Sequence, residues 1–75
     1  MKAQIGKRYR HYKGKEYVVL NIARNTETLE DLVVYQAQYD TPDFGSKPVW
    51  IRPKDMFEET VEVDGVQIDR FIRVD

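Results

Sequence analysis

The hydrophobic positions of this chain fall into short alternating runs broken by turn formers, and none keeps a helical spacing. From Lys7 to Tyr12, Tyr9 and His11 alternate with Arg8, Arg10 and Tyr12, the two-residue period of a first strand. Lys13-Gly14-Lys15 reads as a turn, with Gly14 free to take positive φ. Glu16 to Arg24 is rich in Tyr, Val, Leu and Ile and reads as a central strand. Strict alternation sets Val18, Leu20 and Ile22 on one face, and Tyr17, Val19, Asn21 and Ala23 on the other. Asn25 to Asp31 is polar and full of side chains that bond their own backbone, so it reads as a loop or one short turn.

Leu32 to Asp40 reads as the third strand, with Val33, Tyr35, Ala37 and Tyr39 opposite Leu32, Val34, Gln36 and Gln38. Glutamine at alternate positions fits a strand with one wet face. Thr41 to Lys47 is a connector of turn formers in which Phe44 has no local packing partner. Val49 to Arg52 is the fourth strand, ended by Pro53, whose missing N–H suits the first residue of a helical turn. Asp55, Glu58 and Glu59 then lie near the positive end of that turn. Thr60 to Val63 resumes extended structure, Asp64-Gly65 is a type I′ hairpin signal, and Val66 to Val74 returns. The pattern predicts one all-β domain over residues 1–75: a small SH3-like barrel or a partly open β-roll of five to six short strands, with one helical turn.

Composition narrows the chemistry. A chain of 75 residues is near the lower limit for an unaided core, and without cysteine it has no disulfide or thiolate metal site to help. A single histidine with no cysteine removes the common zinc sets and any cysteine–histidine nucleophile. Ser46 is the only serine and has no nucleophile elbow around it, and the four glycines form no phosphate loop. A non-catalytic protein without cofactor or metal is expected. No stretch approaches the ~20 apolar residues of a membrane helix, so no membrane partner is expected, and a soluble, cytoplasmic location is.

Charge is unevenly spread. Residues 1–15 hold six Lys/Arg and His11 with no acid, while residues 16–75 hold all 13 acids and a net of −7. Arg8, Arg10 and Lys13 are therefore basic-patch candidates for an anionic partner, set against compensation by acidic neighbouring strands. His11 offers either an anion contact or a cross-sheet hydrogen bond that fixes the first hairpin. The segment Pro48 to Phe57 gathers Trp50, Arg52, Met56 and Phe57 within ten residues. Aromatic residues and arginine dominate binding hot spots, although a domain this small needs Trp50 and Phe57 for its core as well. Tyr9, His11, Arg24, Trp50 and Arg52, with Tyr35 or Tyr39 adjoining and Met56 nearby, make the candidate ligand face. An extended peptide or protein segment is the favoured partner. Single-stranded nucleic acid or a nucleotide, held by the basic first strand and exposed aromatics, is the alternative, disfavoured by overall acidity, and a homodimer using this cluster as its interface is a third reading.

Three linked blocks carry a family resemblance. They are Gly6 to Leu20, then Ala23-Arg24 with Glu27 to Glu30 and Leu32 to Tyr35, then Val49-Trp50-Ile51-Arg52-Pro53 with Met56-Phe57, running on to Val61 and Asp64-Gly65. Together they resemble the bacterial domain of unknown function 1653 over roughly residues 6–73. The resemblance implies a small stand-alone all-β domain and lends no activity and no catalytic residue. The family pattern has histidine and serine after the Ala-Arg pair, where this chain has Asn25 and Thr26. Both can cap a turn, and neither supplies an imidazole.

Overall fold

The computed structural model describes residues 2–75. Its strands are β1 (Arg8–His11), β2 (Glu16–Arg24), β3 (Asp31–Ala37), β4 (Asp40–Thr41), β5 (Gly45–Ser46), β6 (Val49–Pro53), β7 (Thr60–Val63), β8 (Val66–Asp69) and β9 (Phe71–Arg73), with one helical turn, α1 (Lys54–Glu58), after β6. A five-stranded antiparallel sheet runs in the order β6-β3-β2-β1-β9, and β4-β5 and β7-β8 are separate hairpins. The all-β class with one helical turn holds. The sheet is open, with β6 and β9 as its two edges, which is the roll rather than the closed barrel.

Turns form where the sequence supplies their special residues. Asp64 and Gly65 both have positive φ, at +51° and +80°, and Val63 pairs Val66 across them, as a two-residue type I′ hairpin requires. Asn25 closes the β2–β3 loop, its Oδ1 accepting from the backbone N–H of Glu27 at 2.8 Å and of Thr28 at 3.3 Å. Pro53 sits one position earlier than expected. Its ψ of 137° is still extended, so it ends β6 as the residue before the helix, and the helical backbone begins at Lys54.

Two departures have clear physical causes. Strict alternation fails in β2 because Val19 pairs Tyr35 while Asn21 pairs Val34, leaving Leu20 as an extra, bulged residue. One extra residue moves every later side chain to the opposite face. Tyr17 and Val19 therefore point inward before the bulge, and Ile22 packs on the core after it, beside Val33. The long return after Asp64-Gly65 also splits. Arg70 donates its N–H to Glu59 and accepts from the Tyr12 N–H, so β8 stays with β7 while β9 transfers to β1.

The core lies on the inner face of the sheet, under α1. Tyr9, Val19, Val33, Tyr35, Ala37, Phe57 and Phe71 are buried. The Phe57 ring, brought in by α1, stacks on Phe71 at 4.0 Å and 5°, while Tyr9 and Tyr35 meet Phe57 edge-on at 5.4 and 5.5 Å. Such pairs add roughly 0.5–1.5 kcal/mol each beyond simple burial. Four large rings thus give the core apolar area that the buried aliphatic residues Val19, Val33 and Ala37 do not supply alone. Among the described residues no helix is long and apolar enough to cross a membrane.

Candidate functional site

Cross-strand register decides which candidate side chains share a face, because directly opposed residues point the same way. Trp50 opposes Tyr35 and Arg52 opposes Val33, so both β6 side chains project over the inner face. His11 opposes Phe71, and Tyr9 opposes Tyr17, on that same face. The curl of the open sheet brings its far edges together here. The Arg52 guanidinium, from edge strand β6, lies 5.5 Å from the ring of Phe71 on the other edge strand. His11, Tyr17, Tyr39, Trp50 and Arg52 are half-buried on this face, beside the buried rings of Tyr35 and Phe71.

Arg52 has the most informative surroundings. Arg8, Arg10, Arg24, Arg70 and Arg73 each face a carboxylate within 4.0 Å. Among the described residues Arg52 has no carboxylate partner and no side-chain hydrogen bond, although it is half-buried. Lys15 is held in a similar way, its Nζ 4.4 Å from the Tyr39 ring and without an acid beside it. Two cations therefore ride on aromatic faces at this surface, each with its charge left over for something else.

The neutral groups around them are set by hydrogen bonds. The Tyr17 and Tyr39 hydroxyls meet at 2.6 Å. Burial, and then this contact with Tyr39, raises the Tyr17 pKa well above the ordinary phenol value, so Tyr17 stays protonated. His11 Nδ1 accepts from the Lys13 backbone N–H at 3.1 Å, which puts the proton of the neutral ring on Nε2. Burial first, then the charges of Arg52, Arg70 and Lys13, hold its pKa below 6.5. At neutral pH His11 is an uncharged donor packed on Tyr12 and Phe71.

The other candidates are distributed differently. Tyr9 is fully buried, its hydroxyl donating to the Lys2 carbonyl and accepting from the Gln4 N–H, so it offers a ligand no surface. Tyr35 is buried as well. Arg24 is engaged by Asp31 at 3.2 Å beside the β2–β3 loop. Met56 is exposed on α1, where the next residue, Phe57, turns into the core. Trp50 is half-buried, and the Phe44 ring covers part of it edge-on at 5.0 Å, which gives Phe44 the partner its own segment lacks. Arg8 and Arg10 both reach Glu16, at 3.3 and 3.8 Å, so its single carboxylate offsets part of the charge of the basic first strand. Lys13 keeps no acid and lies 5.8 Å from the Tyr12 ring.

Lys15, Tyr17, Phe44 and Phe71 belong to this surface and were outside the sequence-based set. Tyr17 had a signal, its alternation with Val19; Lys15 and Phe44 sit in turns, where periodicity carries no information. A separate cavity of about 290 Å³ is lined by Glu30, Asp31, Lys54, Asp55 and Glu58. Its one cation, Lys54, is already paired with Glu58 at 3.1 Å. Among the described residues no cluster of His, Asp and Glu is placed to hold a metal ion.

A family profile described as a protein of unknown function, DUF1653, matches residues 7–73. A crystal structure of a DUF1653 protein from Bordetella bronchiseptica is similar, with 35% identity and a TM-score of 0.80 over 95% of this chain and 87% of that one. No curated protein matches the chain.

Proposed function

The chain belongs to the DUF1653 family of proteins of unknown function, and we propose that it is a non-catalytic bacterial, cytoplasmic binding module that takes an extended peptide or protein segment on its aromatic–arginine face. One observation carries this reading: Arg52, half-buried among aromatic rings, lacks the carboxylate that every other arginine has. Leaving a half-buried guanidinium without a partner forgoes interaction energy in the free protein and makes it available to an acidic group on a ligand. Trp50, Phe44 and the paired Tyr17 and Tyr39 supply contact area and polar edges beside it.

Selection from a phage-displayed library of random dodecamers tests the reading. Enriched peptides are expected to bind the wild-type protein with modest salt dependence and to weaken about tenfold on Arg52→Ala. Enriched peptides that bind Arg52→Ala as well as wild type would remove the face from the account. A single-stranded oligothymidylate that binds better, with a log–log salt slope of roughly −0.7 per phosphate contact, would replace the peptide by nucleic acid.

A further inference from the structure

We propose that the partner segment joins the protein as an added strand on the open edge of β6, with an acidic side chain set against Arg52. The inference rests on the binding-module reading and deepens it by assigning the backbone mode and the ligand pattern.

The hydrogen-bond phase of β6 is fixed by one contact. Ala37 donates its N–H to the Pro48 carbonyl at 2.9 Å, and the 37–48 pair continues the β3–β6 register. Hydrogen-bonded pairs alternate along an antiparallel ladder. Trp50 and Arg52 therefore bond to Tyr35 and Val33, and the N–H and C=O groups of Val49 and Ile51 point away from β3 into the open edge. Among the described residues nothing pairs with them. Both residues are more than half exposed, at 53% and 64%. Pro53, in the outward phase of Val49 and Ile51, contributes no N–H to the edge, and Pro48 directs its carbonyl to β3, which limits an added strand to a few residues.

That geometry dictates the ligand. In an antiparallel partner, the residues opposite Ile51 and Val49 make the backbone bonds and turn their side chains to the outer face, beside two exposed aliphatic groups. The residue opposite Arg52 turns inward and meets a guanidinium without a carboxylate, so an acidic side chain fits there. The residue opposite Trp50 turns onto the Trp50–Phe44 pair, where an aromatic ring fits. From its N-terminus the segment reads acidic, aliphatic, aromatic, aliphatic. A second copy of this chain is a poorer occupant. A five-residue edge is ~17 Å long, and pairing two such edges covers far less than the ~1,200 Å² a stable dimer buries.

The probe is a capped pentapeptide of glutamate, valine, tyrosine, valine and threonine, in that order, titrated up to millimolar concentration while amide exchange is followed by NMR. In the free protein the Val49 and Ile51 amides should exchange quickly and those of Trp50 and Arg52 slowly. On binding, the Val49 and Ile51 amides should become at least about tenfold protected. Methylating both valine nitrogens of the peptide should weaken binding at least about tenfold. Methylating the tyrosine nitrogen, which points away from the edge, should not. Replacing the glutamate by lysine should cost about tenfold on wild type and little on Arg52→Ala, which separates charge pairing from general packing. Binding that survives valine methylation, or library-selected peptides that leave the Val49 and Ile51 amides unprotected, would overturn strand addition while leaving the module reading intact. Failure of every peptide, selected or designed, would overturn both. Protection of those two amides on concentrating the protein alone would give the edge to a second copy.

Discussion

At the residue scale, three side chains of the inner face report on different conditions. His11 is held below its ordinary pKa of 6.5 by burial and by Arg52, Arg70 and Lys13. The unfolded chain therefore takes up a proton that the folded chain refuses. This contribution is fully present above pH 6.5 and is lost as pH falls through the lower folded value. His11→Gln should flatten the fall in melting temperature between about pH 6.5 and 5.5, before most carboxylates titrate. Tyr17 is the opposite case. Its raised pKa means that only the unfolded chain ionises near pH 10, so stability is complete below that and declines as pH rises further. Tyr17→Phe should remove this alkaline decline, read from melting temperature across pH 9 to 11. Arg52→Ala loses a cation–π contact worth about 0.5–1 kcal/mol, so the variant should stay folded and remain usable in binding experiments. Each of these residues could be singled out in the sequence or placed beside one that was. Their partners could not, because Arg52 and Phe71 are far apart in the chain and at opposite edges of the sheet.

At the element scale, local chemistry was legible wherever one residue type controls a backbone conformation. The Asp64-Gly65 hairpin is such a case. A Cβ added at Gly65 meets nothing within 4 Å, so Gly65→Ala costs only the left-handed backbone penalty at φ +80°. That penalty is about 1 kcal/mol, and in a domain of this size it should lower the melting temperature by about 4–8 °C. β2 shows where such reading stops. Its boundaries, Glu16–Arg24, follow directly from composition, yet half of its facing does not. Leu20 is as apolar as its neighbours, and nothing in an unbroken apolar run marks which residue the partner strand will skip. The bulge belongs to the β2–β3 pair, not to β2.

At the scale of the whole molecule, the Phe57–Phe71 stack ties the helical turn to the last strand and so closes one end of the roll. Phe57→Ala should cost about 3–5 kcal/mol and leave the domain largely unfolded at 37 °C, seen as loss of the cooperative thermal transition. Trp50→Ala, half-buried, should cost about half as much and keep that transition. The sequence by itself determined the all-β class, the positions of the main strands, the single helical turn after Pro53 and the type I′ hairpin, since each follows from two-residue periodicity or from the φ preferences of particular residues. It also assembled the residues from which a binding face would be drawn. Only the tertiary structure decided that Tyr9 and Tyr35 are interior, that Glu16 pairs with both Arg8 and Arg10, and that Arg52 is left without a carboxylate. It alone leaves the β6 edge open. The reason is physical. Burial and charge pairing depend on distances between residues remote in the chain, and those distances come from sheet register and curl, which no local pattern encodes.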